Sequence, residues 1–132
     1  MRTRTEQEKR IAKDRELLSK AFPKCFTHGE GAIKLPLKIG ITTEVIKIGV
    51  KDERGEPLSH RRIRQAIFDY CQGPRYHLAV LERDVRVGID GGVCEPVQPR
   101  HREWSRKAID KFSPKWRQIA DAIMSHRDRR AA

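Results

Sequence analysis

The amino-acid sequence predicts an α+β fold, a mainly helical single domain with one small β-hairpin. Three observations point there. Apolar residues recur at three- and four-residue spacing in several segments, one short stretch alternates around an Asp-Gly-Gly turn, and prolines and glycines punctuate the boundaries between segments. At 132 residues the chain is long enough for one core, and no separate catalytic domain is expected.

Residues 5–22 read as a helix, with Ile11, Leu18 and Phe22 on one stripe, Leu17 and Ala21 widening it, and Pro23 ending it. Its Glu, Lys, Arg and Asp residues are expected on a solvated face. Residues 36–50 are ambiguous. Leu37, Ile41, Val45 and Ile48 fit a helical face behind Pro36, whereas Leu37, Ile39 and Ile41 alternate as a strand would. Residues 51–57 form a loop. Residues 59–71 give the clearest helix: Ser59 is a natural N-cap, and Ile63, Ala66, Ile67 and Tyr70 follow at i, i+3, i+4 and i+7. Gly73-Pro74 breaks the chain, and residues 75–81 suit one more short helix. Val85, Val87 and Ile89 alternate before Asp90-Gly91-Gly92, and residues 93–97 return as the second hairpin strand, which Pro96 marks as an edge. Residues 101–112 read as a helix burying Trp104, Ala108 and Phe112. Ser113-Pro114 opens the last helix, whose stripe is Trp116, Ile119, Ala120 and Ile123, and residues 126–130 are expected to fray.

Lys and Arg number 29 against 18 Asp and Glu, a net charge of +11. Such a field draws polyanions: nucleic acid, anionic membrane or acidic protein. Its bland alternative is a basic domain with no anionic partner. No run is apolar enough to span a bilayer, and residues 1–10 lack the apolar core of a secretory leader, so a cytoplasmic protein with no membrane partner is expected. The three cysteines, Cys25, Cys71 and Cys94, are odd in number and scattered, which fits a reducing compartment.

The helix opening at Ser59 carries His60, Arg61, Arg62 and Arg64 in its first turns. Bases at the positive end of a helix dipole repel it, an arrangement that makes sense where a phosphate binds. The alternative is a solvated basic face. Tyr70, Arg75 and Tyr76 bracket Gly73-Pro74, where aromatic and Arg side chains can stack on unpaired bases. Tyr70 also lies on the apolar stripe, which suits a core residue. Cys25-x-x-His28, with Cys71 and His77, has a trace of zinc-ligand spacing but not the tight paired pairs of a zinc site, so no metal is expected. Glycine-rich phosphate loops and nucleophile elbows are absent. Glu82, Asp84 and Asp90 lack the spacing of a nuclease metal centre, and Asp90 is explained by the turn. No catalytic residue, enzyme activity or cofactor is therefore expected.

Several segments fall in one order: Phe22-Pro23-Lys24-Cys25-Phe26, Pro36-Leu37-Lys38-Ile39-Gly40-Ile41, Leu58-Ser59, Ile63-Arg64-Gln65-Ala66-Ile67, Tyr70 with Arg75-Tyr76, Arg86-Val87-Gly88-Ile89-Asp90-Gly91, and His101. This series resembles the ProQ/FinO RNA-binding domain over residues 10–112, which leaves 1–9 as a charged extension, 113–126 as a C-terminal amphipathic helix and 127–132 as a charged tail. The resemblance implies a helical reading for residues 36–50. It also implies binding of structured RNA, at the base of a stem followed by a single-stranded 3′ end, as in intrinsic terminators. Members protect small RNAs and modulate their pairing with mRNAs, and some act through antisense RNA. Carried over by position, RNA-contacting sites fall on Lys38, Arg64, Arg75, Tyr76 and Arg86, with Lys107 a further basic site. The family's lysine beside the N-cap serine is here His60, a basic helix position is Phe68, and the base before Phe-Pro is Ala21. Arg61 and Arg62 are placed to compensate. Long basic extensions are not seen, so RNA binding is expected ahead of strand annealing. The rival reading is a DNA-binding module using residues 59–71 as its recognition helix; a metal-dependent nuclease is the third.

Overall fold

A computed structural model describes residues 3–29 and 31–131; Met1 and Arg2 of the charged extension, Glu30, and Ala132 of the charged tail lie outside the described residues. Among the described residues the elements are α1 (Glu6–Ala21), α2 (Ile41–Ile48), α3 (His60–Tyr70), α4 (Pro74–Glu82), β1 (Val85–Val87), β2 (Val93–Pro96), α5 (Pro99–Ile109) and α6 (Pro114–Ala131). The predicted α+β class, helix-rich with one antiparallel hairpin, is the class observed.

Thr5 caps α1, its hydroxyl accepting from Glu8 N–H at 3.1 Å, and Leu17, Leu18 and Phe22 bury the expected stripe, while Ala21 is exposed. The ambiguity over residues 36–50 resolves into both answers in sequence. Residues 36–38 run beside β1 as an extended bridge: Lys38 N–H donates to Val87 O and Val87 N–H to Pro36 O, each at 2.8 Å. Gly40, at φ 85°, then turns the chain into α2, where Ile41 and Val45 are buried and Ile48 faces solvent. Ser59 caps α3 as its sequence predicts, and Ile63, Ala66, Ile67 and Tyr70 are its buried face.

The hairpin pairs Val85 with Pro96 and Val87 with Val93. Its turn needs Gly91 for two reasons: φ is +82°, and a Cβ there would lie 2.7 Å from the Lys24 Cβ. The hairpin tip therefore rests against the Phe22–Phe26 segment. One core joins α1, α2, α3, the 22–26 segment and one side of α4. A second, smaller core joins Leu81, Ile109 and Ala120, with Leu78 and Trp116 packed on it, and ties α4 to α5 and α6.

Four expectations are corrected. Asp14 does not lie on a solvated face; it is 1 % exposed and pairs with Arg62 through Nε–Oδ2 at 3.0 Å and Nη2–Oδ1 at 2.6 Å. Trp104 is not core: α5 buries the arc centred on Ser105 and Ile109, which leaves Trp104 63 % exposed. Ile119 is 42 % exposed, and Trp116 is only partly buried. The final helix does not end near residue 126. It continues to Ala131 because Arg127 reaches back to Glu82 O at 2.8 Å and Asp84 at 2.9 Å.

Removing one partner of a buried ion pair strands the other charge. Arg62→Ala is therefore expected to cost about 3 kcal/mol or more, and Arg61→Ala, on the exposed face, within about 0.5 kcal/mol. Urea denaturation of the two variants beside the wild type measures both; equal midpoints for the two variants would remove the structural role given to Arg62.

Candidate nucleic-acid interface

The expected site residues separate into four groups. The first converges on one residue, Leu37. Leu37 donates its N–H to the Tyr76 hydroxyl at 3.1 Å, and its carbonyl accepts from Arg86 Nη1 at 2.8 Å. Arg86 Nη2 donates to His101 Nδ1 at 3.1 Å. A guanidinium only donates, so Nδ1 is the unprotonated nitrogen and Nε2 carries the ring proton. Burial, then Arg86 and Arg100, lower the His101 pKa, which keeps the ring neutral near pH 7. Arg86 is 8 % exposed, and its Nε has no partner. It makes no ion pair among the described residues. Glu95 lies in its field, but that carboxylate accepts from Ile39 N–H at 2.7 Å instead. Arg86 opens onto a cavity of about 320 Å³ with Tyr76, His77, His101, Trp104 and Ser105 around it.

The second group is the outer face of α3. His60, Arg61, Arg64 and Phe68 are exposed, and no acid stands in the first turn. Spacings of three and four residues put these side chains on one stripe. Arg61 and Arg64 make no ion pair among the described residues. Ser59 accepts the Arg62 N–H, and the His60 and Arg61 backbone N–H groups at the positive end of the helix have no partner among the described residues.

The third group is structural. Arg62 was expected as a compensating phosphate cation, but its guanidinium is taken by Asp14, a bond that raises its pKa. Tyr70 is 2 % exposed, with Phe26 and Tyr76 edge-on to its ring and Lys34 4.8 Å over it, so no face is open to a base. Tyr76 is 9 % exposed, and its role is to hold Leu37 while one edge lines the cavity.

The fourth group lies to the side. Lys38 pairs with Glu44 at 2.8 Å, and that bond raises its pKa. Arg75 is exposed and stands over the Trp116 ring at 5.5 Å. One hundred degrees per residue put Arg75, Leu78 and Ala79 on one face of α4 and Tyr76 and Val80 on another, so Arg75 does not enter the Arg86 cavity. Lys107 is exposed on α5 without an ion pair among the described residues. His101 closes the family series without being counted among the expected contacts, and Trp104 was read as core. Their i, i+3 spacing was legible, but their exposure depends on how α5 rolls onto α4.

Among the described residues no group of three His, Cys, Asp or Glu side chains is gathered as a metal site, and no helix is long and apolar enough to cross a membrane.

Comparison with known proteins places this geometry. A family model described as the ProQ/FINO family matches residues 7–122. The RNA chaperone ProQ of Vibrio vulnificus (strain CMCP6) is 33% identical over 98 residues, 74% of this chain and 45% of that protein. The RNA chaperone ProQ of Alteromonas mediterranea is 28% identical over 113 residues, 86% of this chain and 49% of that protein. The chain thus spans about half the length of the curated relatives it matches. The NMR solution structure of a ProQ homolog from Legionella pneumophila superposes with a TM-score of 0.60 at 24% identity, covering 84% of this chain and 88% of that one, a likeness of fold.

The protons held in this region set an alkaline limit on stability. Burial pushes the Cys25 thiol up to about 12, the Cys71 thiol to about 11 and the Tyr76 hydroxyl to about 12, from ordinary values of 9.0 for a thiol and 10.0 for a phenol. Each group binds its proton more tightly folded than unfolded, so its contribution is full below the ordinary value and is lost as pH rises through the folded one. Stability is therefore expected to hold up to about pH 9 and fall steeply between pH 9 and 12. Tyr76→Phe, which leaves the Leu37 N–H unbonded, is expected to cost about 1–3 kcal/mol at pH 7 and to flatten that fall. Urea titrations across this pH range check both; an undiminished alkaline fall in Tyr76→Phe would contradict the assignment to Tyr76.

Proposed function

This chain belongs to the ProQ/FINO family, and we propose that it binds structured RNA without catalysing a reaction, at the base of a stem and at the single-stranded 3′ end that follows, as in an intrinsic terminator. On this reading its partners are small RNAs and mRNA 3′ ends, and it acts in the bacterial cytoplasm as an RNA chaperone in regulation by small or antisense RNAs.

The observation that carries the reading is Arg86. A guanidinium more than nine-tenths buried with no carboxylate against it is costly unless another anion completes it. Its carbonyl and imidazole partners orient the charge but do not cancel it. The adjoining cavity admits a flexible, splayed end and is too small for a duplex. Duplex phosphates, whose positions are fixed, suit instead the exposed α3 stripe of His60, Arg61 and Arg64 and the open N–H groups at its start. Narrow A-form grooves leave a protein to read shape, phosphates and ends, which this pair of sites does. DNA recognition by α3 has only the stripe in its favour and leaves the Arg86 cavity without a task.

Direct binding measurements on one hairpin, with and without a 3′ tail, test the proposal. Wild-type protein is expected to prefer the tailed RNA, and duplex DNA of the same sequence should compete poorly. Arg86→Lys is expected to weaken the tailed complex about 10-fold, in line with one lost charge-assisted hydrogen bond, and the blunt one little. Arg61→Ala and Arg64→Ala should weaken both RNAs alike. If about five phosphates are neutralised, the log–log salt slope should lie near −3 to −5. Equal wild-type affinity for the two hairpins would sink the 3′-end reading and leave only attraction to phosphate.

A further inference from the structure

We propose that Trp104, backed by His101, is a stacking platform for an unpaired nucleobase at the mouth of the Arg86 cavity; this rests on the reading that a single-stranded RNA end enters there. Exposure alone carries no such conclusion, since Ile33, Ile39 and Ile48 are also exposed and isolated apolar residues on a surface are ordinary. Trp104 differs in what surrounds it. Its ring lies 5.3 Å from that of His101, inclined at 53°, and His101 in turn accepts from Arg86. Trp104 therefore forms a wall of the one cavity in which a buried guanidinium lacks a counter-ion among the described residues. The indole N–H makes no hydrogen bond among the described residues, so no polar contact holds the ring in place.

The cavity thus presents three chemistries side by side: a cation inside, a neutral imidazole bonded to it, and an indole on a residue 63 % exposed. These match one unpaired nucleotide, with its phosphate, its hydrogen-bonding hydroxyls or base edge, and its base plane. Charge selects this occupant over a second copy of the chain, which would bring another +11 toward an uncompensated Arg86. Stacking tolerates every base, so the platform favours an unpaired end without dictating its sequence.

The test compares affinities for a tailed and a blunt hairpin, taken as a ratio so that general loss of binding cancels. Stacking contributions of the usual size predict that Trp104→Ala lowers the tailed-to-blunt ratio roughly 5- to 100-fold, and Trp104→Phe, which keeps a ring, by less than about 3-fold. A spectroscopic arm uses Trp116→Phe, which leaves Trp104 as the sole tryptophan. Its emission should be quenched by the tailed hairpin and not by the blunt one. Should Trp116→Phe fail to fold, the affinity ratios in the wild-type background decide alone. A wild type that prefers the tailed RNA while Trp104→Ala keeps that preference would overturn this inference and spare the proposed function. A wild type with no tail preference would overturn both. Emission from Trp104 that shifts with protein concentration in the absence of RNA would assign the face to self-association instead.

Discussion

The backbone of Leu37 is the fixed point of this domain. Both its polar groups are taken by side chains from elsewhere, the N–H by Tyr76 of α4 and the carbonyl by Arg86 of β1. These two bonds add to the backbone bonds of Pro36 and Lys38 with Val87, which alone join the short extended segment to a three-residue strand. Through this residue the approach to α2, the first turns of α4, the hairpin and, by way of His101, α5 are all tied together. The same arrangement forces Arg86 inside. Its hydrogen bonds go to a neutral carbonyl and a neutral imidazole, so the clamp that builds the fold also leaves an uncancelled charge at the edge of a cavity. Structure and binding draw on a single side chain there, which is why a replacement at Arg86 must be read against a control RNA.

Elsewhere the chain keeps its structural and its available cations apart. Arg62 is neutralised by Asp14, Arg15 by Asp69, Arg106 by Asp110 and Asp121, and Arg127 by Asp84. These pairs staple α1 to α3, α5 to α6, and α6 to the turn before β1. Exposed cations without an ion pair among the described residues include Arg61 and Arg64 on the outer face of α3, and others elsewhere on the surface, such as Lys24, Lys47, Arg54, Arg75 and Lys107. A net charge of +11 is therefore a poor guide to where a polyanion would sit, because much of the basic surplus is interleaved with acids.

Local pattern made α3, the hairpin turn and the start of α6 legible, since each rests on contacts within a few residues: Ser59 with Arg62, Asp90 with Gly92, Ser113 with Trp116. The family resemblance brought Lys38, Tyr76 and Arg86 to notice. It did not show that Tyr76 and Arg86 act through Leu37, whose partners are 39 and 49 residues away. Asp14 looked like a surface residue because its partner lies 48 positions on. Trp104 looked like core because periodicity gives a stripe and not its centre; rolling the buried arc one residue onward, to Ser105 and Ile109, turned the indole out to solvent. Residues 36–50 defeated a single label because they are an extended bridge and then a helix, divided at a glycine in the left-handed region.

On the proposed function, an RNA end supplies the anion that Arg86 lacks among the described residues. The most direct measurement is NMR of the Arg86 Nε–H and the Leu37 amide during titration with a hairpin that carries a single-stranded 3′ tail. Both resonances are expected to shift together with the tailed RNA, and the blunt hairpin to move only the amides along the exposed face of α3. An Arg86 Nε–H left unmoved by the tailed hairpin while the α3 amides respond would contradict it.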